Sequence, residues 1–136
     1  MTKDTKNLKQ RILDEMSVSY ANALEKNFEL AKQFIRITSE GRVEVLMKEQ
    51  LNGKQQILLY LIGKLYSKEA GLTPVESAGN KELTEELGIP MGSLLPWLKD
   101  LRDQNRIKAV KTGYHQISVN LIEKTLKEIE KKLNKS

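Results

Sequence analysis

The chain has 136 residues, a formal net charge of +5 and no cysteine. That length holds one globular domain with room for an appended arm, and the absence of cysteine excludes disulfides, thiolate metal sites and cysteine nucleophiles together. The mild basic excess permits a polyanionic partner without requiring one, and no apolar run approaches the roughly 20 residues needed to cross a bilayer.

The opening MTKDTKNLKQ lacks the apolar core of a secretory signal, so a cytoplasmic protein with no membrane partner is expected. Leu8, Ile12, Met16, Tyr20, Leu24, Phe28, Ala31 and Ile35 then recur every three or four residues. This predicts one long amphipathic helix from about Asn7 to Gln33, on the order of 40 Å at 1.5 Å per residue. Ser17-Val18-Ser19 has poor helix propensity and marks where it would break. A stripe this long outruns a small domain. It either packs along the domain and beyond or pairs with a second copy, and a homodimer arm is the favoured of the two.

From Phe34 to Leu46, β-branched residues alternate with polar ones on both sides of Ser39-Glu40-Gly41, which predicts a β-hairpin. Asn52 then caps a helix over about Lys54 to Ala70, with Ile57, Leu58, Leu61, Ile62 and Leu65 on its apolar face. Gly71 ends it. Leu72 to Gly79 reads as a loop, with a short strand near Val75. Asn80 caps a second helix carrying Leu83 and Leu87, which closes at Gly88, where glycine takes the left-handed cap.

The next helix is placed by Pro96. Deep in a helix a proline costs about 3 kcal/mol, but in the first turn the cost vanishes, because those amides have no intrahelical partner. With Ser93 as N-cap, Pro96 becomes the third helical residue, and the helix runs from about Leu94 to Gln104. Two runs rich in Ile and Val follow, separated by Thr112-Gly113, the second passing through His115, Ile117 and Val119. The last segment, Leu121 to Asn134, sets Leu121, Ile122, Leu126, Ile129 and Leu133 on one side of a helix. Lys124, Lys127, Lys131, Lys132 and Lys135 stand on the other. It reads as a packed helix and as a second element through which a homodimer can form.

Helix, tight turn, helix and β-hairpin between Asn80 and Val119 (NKELTEELGIPMGSLLPWLKDLRDQNRIKAVKTGYHQISV) is a plan that resembles the winged helix-turn-helix superfamily. It is most similar to the small domains of prokaryotic and archaeal transcription regulators. The resemblance implies an α+β, mainly helical fold. Residues 53–136 would form the winged domain with its C-terminal helix, and residues 1–52 a long helix and hairpin extension. It also implies double-stranded DNA as partner, transcription regulation as role, and DNA contact through the second helix of the motif and the wing.

The residues qualify that implication. If Leu94, Leu98 and Leu101 face the core, then Ser93, Leu95, Pro96, Trp97 and Lys99 lie toward the exposed or flanking side, and only Lys99 belongs to the usual readers of base edges. Ser93 can donate to a phosphate and Leu95 can touch a thymine methyl. Trp97, the chain's one tryptophan, reads first as a packing anchor and second as a reader. Lys81, Arg106, Lys108 and Lys111 complete the candidate DNA contacts, the last three at the start of the wing and near its tip. The apolar Leu95-Pro96-Trp97 face also suits a protein partner, so a winged-helix interaction module within a larger assembly is the alternative.

No enzyme is expected. His115 is the only histidine, so a triad or transition-metal site lacks its members, and it is expected at the sheet surface. Glu85-Glu86 lacks a flanking ligand pattern for calcium, and no glycine spacing matches a phosphate or dinucleotide loop. No cofactor, metal or catalytic residue is assigned.

Overall fold

A computed structural model describes residues 7–16 and 20–134. Three short helices come first: α1 (Leu8–Glu15), α2 (Tyr20–Lys26) and α3 (Phe28–Ala31). The single helix expected over Asn7 to Gln33 is therefore corrected. Asn27 interrupts it, with φ −103° and ψ 11°. Its Nδ2 donates to the carbonyl of Ala23 at 2.8 Å, the same acceptor its backbone amide takes at 3.2 Å. An asparagine side chain that competes for a helix carbonyl offers the backbone a way out of the helix. The break expected at Ser17-Val18-Ser19 lies outside the described residues, as does Lys135.

Strands β1 (Ile35–Ile37) and β2 (Val43–Val45) form the expected antiparallel hairpin, with Ile35 opposite Val45 and Ile37 opposite Val43. Gly41 turns it with φ +89°. The hairpin lies on the helix that follows it, α4 (Gly53–Glu69), and the contact needs a glycine: a Cβ on Gly63 would stand 2.4 Å from Cγ1 of Val43.

Asn52 starts α4 with a capping box. Its side chain accepts from the amide of Gln55 at 2.8 Å, and the Gln55 side chain accepts from the amide of Asn52 at 3.0 Å. Every residue from Ile57 to Leu65 is buried, so α4 is the centre of the molecule rather than an amphipathic face on it. Its one charged buried group, Lys64, is paired: Nζ lies 3.0 Å from Oε2 of Glu82, the oxygen that also accepts from the hydroxyl of Tyr60. Burial first, and the Glu82 carboxylate second, push the Tyr60 phenol well above its usual range.

After α4 the chain forms β3 (Ala78–Gly79), α5 (Asn80–Leu87), α6 (Met91–Asp103), β4 (Ile107–Lys111), β5 (Tyr114–Ile117) and α7 (Ile122–Asn134). The three strands make an antiparallel sheet in the order β3-β5-β4. The first strand sits at Ala78–Gly79 rather than near Val75. Val75 is exposed, whereas Ala78 is fully buried and Gly79 lies under the ring of Tyr114, whose Cε2 would be 2.9 Å from an added Cβ. Thr112-Gly113 makes the second hairpin turn, Gly113 at φ +76°. Val110 is an extra residue in β4, since Ala109 pairs with His115 and Lys111 with Tyr114.

Two helix starts differ from expectation. Asn80 is the first residue of α5 and Gly79 its N-cap, which leaves the Asn80 side chain for another partner. The C-terminal end of α5 is as expected, closed by Gly88 at φ +71°. Helix α6 begins at Met91 with Pro90 as N-cap, not at Leu94 with Ser93 as N-cap. The carbonyl of Pro90 accepts the amides of Ser93 at 3.0 Å and Leu94 at 2.9 Å, so Ser93 already lies inside the helix. Pro96 is thus the sixth helical residue. Its missing amide deprives the carbonyl of Gly92 of a helix partner, but Gly92 and Pro96 are both exposed, where solvent can replace that partner. Burial of Leu94, Leu98 and Leu101 outweighs what remains of the proline's cost.

Helix α7 turns Ile122, Thr125, Leu126 and Ile129 inward against the core, and α4 is among its neighbours. One cluster of buried side chains runs from Leu24 through α4 to Ile129.

Candidate functional site

The proposed contacts divide by where their side chains go. Lys81 is exposed as the second residue of α5, and Leu95 is exposed on α6. Lys108 and Lys111 are exposed on β4. Ser93 is half-buried in the first turn of α6. Lys99 is exposed, and its Nζ donates to Oδ2 of Asp103 at 2.9 Å. That bond, more than any other factor, raises the pKa of the ammonium.

Trp97 and Arg106 face elsewhere. Trp97 is half-buried over the start of α4: a Cβ on Gly53 would lie 2.1 Å from its Cζ3. Arg106 is 14% exposed at its side chain. It donates to Oγ1 of Thr125 at 2.9 Å and to Glu128 at 3.0 Å, which fastens the start of the hairpin to α7.

The structure gathers two groups. The first lies where the hairpin meets α5. The ring of Tyr114 covers Gly79, Nζ of Lys111 stands 4.4 Å from the centre of that ring, and Lys81 follows two residues after Gly79. A lysine over an aromatic face is attracted by the quadrupole of the ring and loses some freedom. The second lies along one flank of α6, where Met91, Leu95, Lys99 and Arg102 follow at spacings of three and four. Met91 and Leu95 are exposed, so this flank begins apolar and ends basic.

His115, which follows Tyr114 on β5, is buried at 3% exposure, not at the sheet surface as expected. Its Nε2 donates to Oδ1 of Asn80 at 2.8 Å, since an amide oxygen can only accept. Its Nδ1 is buried with no hydrogen-bond partner. Strand alternation sets His115 on the same face of β5 as the fully buried Ile117 two residues on, and Asn80, freed from capping, offers it a partner there. Burial first, and the charge of Arg102 second, lower the pKa of the imidazole.

Met91, Val110 and Tyr114 belong to the exposed surface of this region and were not among the candidate contacts. Met91 reads as part of an approach loop once Ser93 is taken as the cap. Tyr114 was signalled only by the glycine at position 79, which makes room for its ring. Among the described residues, no group of three or more His, Asp or Glu side chains is placed to hold a metal ion, and no helix is long and apolar enough to cross a membrane. Comparison with protein-family models, curated proteins and solved structures finds no match to this chain.

Proposed function

We propose that the chain binds double-stranded DNA, with transcription regulation in the cytoplasm as the role that its resemblance to winged helix-turn-helix domains implies. One observation carries this reading. Helix α5, a tight turn, helix α6 and a hairpin follow one another around a sheet ordered β3-β5-β4, with Lys81, Lys108 and Lys111 all turned to solvent. These three lysines would hold phosphates, and Leu95 and Lys99 would meet base edges. Three neutralised phosphates give a salt slope of about −2.7, so affinity should fall roughly 40-fold between about 50 and 200 mM salt. Fluorescence anisotropy with a labelled mixed-sequence duplex reads this directly. Absence of binding at about 50 mM salt overturns the proposal.

A second reading is favoured by the outer side of α6. Met91, Leu95 and Pro96 are exposed there, and Lys99 is held by Asp103. Such a surface suits an apolar protein partner, which makes the chain an interaction module in an assembly. It replaces the DNA reading if duplex fails to bind while the fold is intact.

A further inference from the structure

Helix α1 carries an apolar stripe on the outside of the molecule. Leu8, Ile12 and Met16 follow one another at spacings of four and are all exposed, Met16 at 78%. An isolated helix of eight residues is only marginally stable in water. Packing of its stripe is what would hold it.

The same chain offers a seat of matching character. A groove of about 580 Å³ lies between α2, α3, β1 and the end of α4. Leu24, Phe28, Ala31, Ile35 and Tyr66 line it, and among the described residues none of α1 does. Its acidic margin is formed by Glu25 and Glu69, with Lys32 as the basic member. On α1, Lys9 and Arg11 flank the stripe on opposite sides, and Glu15 stands beside Arg11 at 4.0 Å. The basic flanks of the helix match the acidic margin of the groove in charge, where Lys32 is already paired with Glu29 at 3.1 Å.

We propose that α1 of a second copy occupies this groove, each chain giving its helix to the other in a two-fold dimer. The exchange is isologous: one patch donates, one accepts, and both are satisfied twice by one symmetry axis. It stands independently of the DNA reading, because none of the candidate DNA contacts lies on α1 or in the groove.

The test uses the full chain. Sedimentation equilibrium at tens of micromolar should show a dimer. Ile12→Asp should weaken dimerisation at least tenfold while thermal unfolding of the core around α4 stays cooperative, since Ile12 is exposed. The chain holds no native cysteine, so pairing can be read by adding one at a time. A preparation of Ile12→Cys mixed with one of Ala70→Cys should give disulfide-linked pairs of the two variants. A monomer throughout that concentration range overturns the proposal, as does a dimer indifferent to Ile12→Asp. A disulfide closing within a single chain of the Ile12→Cys, Ala70→Cys double variant, with no cross-linked pair, also overturns it by assigning the groove to the chain's own helix.

Discussion

His115 donates its Nε2 proton to Oδ1 of Asn80 across 2.8 Å, and so ties the return strand of the second hairpin to the first residue of α5. The bond requires the tautomer with the proton on Nε2, which leaves Nδ1 as a lone pair buried without a donor. Protonating Nδ1 would bury a charge near Arg102.

A pH dependence follows from that arrangement. The folded imidazole has a pKa below the ordinary value of 6.5, so between the two values the unfolded chain binds more protons. This contribution to stability is complete above about 6.5 and declines as pH falls toward the folded value. His115→Gln keeps a donor for Asn80 and removes the titration. Urea midpoints at about pH 7.5 and 5.5 should drop further for the wild-type chain than for this variant. Equal drops would show that His115 is not the group responsible.

Glycines at two positions on the start of a helix should respond oppositely to a methyl group. Gly53→Ala pushes a Cβ to 2.1 Å from the ring of Trp97, and displacing that ring should cost about 1–3 kcal/mol. At Gly92 nothing lies within 4 Å of an added Cβ, so Gly92→Ala should raise stability by roughly 0.5–1 kcal/mol through helix propensity. Thermal unfolding of both variants checks the pair. A stabilised Gly53→Ala would mean that Trp97 is not seated over α4.

Arg106 separates fold from partner. Arg106→Ala leaves the hydroxyl of the buried Thr125 without its donor and should cost about 1–3 kcal/mol. Its duplex salt slope should match that of the wild-type chain, because the guanidinium faces α7. Lys108→Ala combined with Lys111→Ala should do the reverse, lowering the slope by about 2 with little change in unfolding. If Arg106→Ala lowers the slope instead, the hairpin approaches DNA from its α7 side.

The Tyr60–Glu82–Lys64 group joins α4 to α5. Lys64→Met removes the cation from a half-exposed carboxylate and should cost about 1–3 kcal/mol, less than for a fully buried pair because water reaches Glu82. Tyr60→Phe should cost about 1 kcal/mol. Chemical denaturation of the two variants and their combination would give a coupling near zero if the three groups did not act together.

Much of the architecture was legible along the chain because local signals agreed with one another. Asn52 with Gln55 three residues later, Gly88 after Leu87, and Thr112-Gly113 between two β-branched runs each carry their own stereochemistry, and the structure follows them. Pro96 misled because the penalty for a proline in a helix interior is real, but burial of three leucines on the opposite side is larger. Asn27 stopped a helix that periodicity alone would continue, through a side-chain bond no hydrophobic pattern reveals. The candidate surface was legible only in part: Lys81, Lys108 and Lys111 face outward, while Arg106 is claimed by Thr125 and Glu128, which lie some twenty residues on. Sequence distance hides such partners, and a basic residue looks the same whether it serves the surface or the core.

Val110, the extra residue in β4, has a consequence for life at high concentration. Strand β4 is an outer strand of its sheet, with backbone groups on its far side that pair with no strand of the sheet. A flat row of that kind templates the addition of strands from other molecules, the route into fibrils. The kink at Val110, set between Lys108 and Lys111, twists that row and surrounds it with like charge, so a second molecule presenting the same strand is turned away.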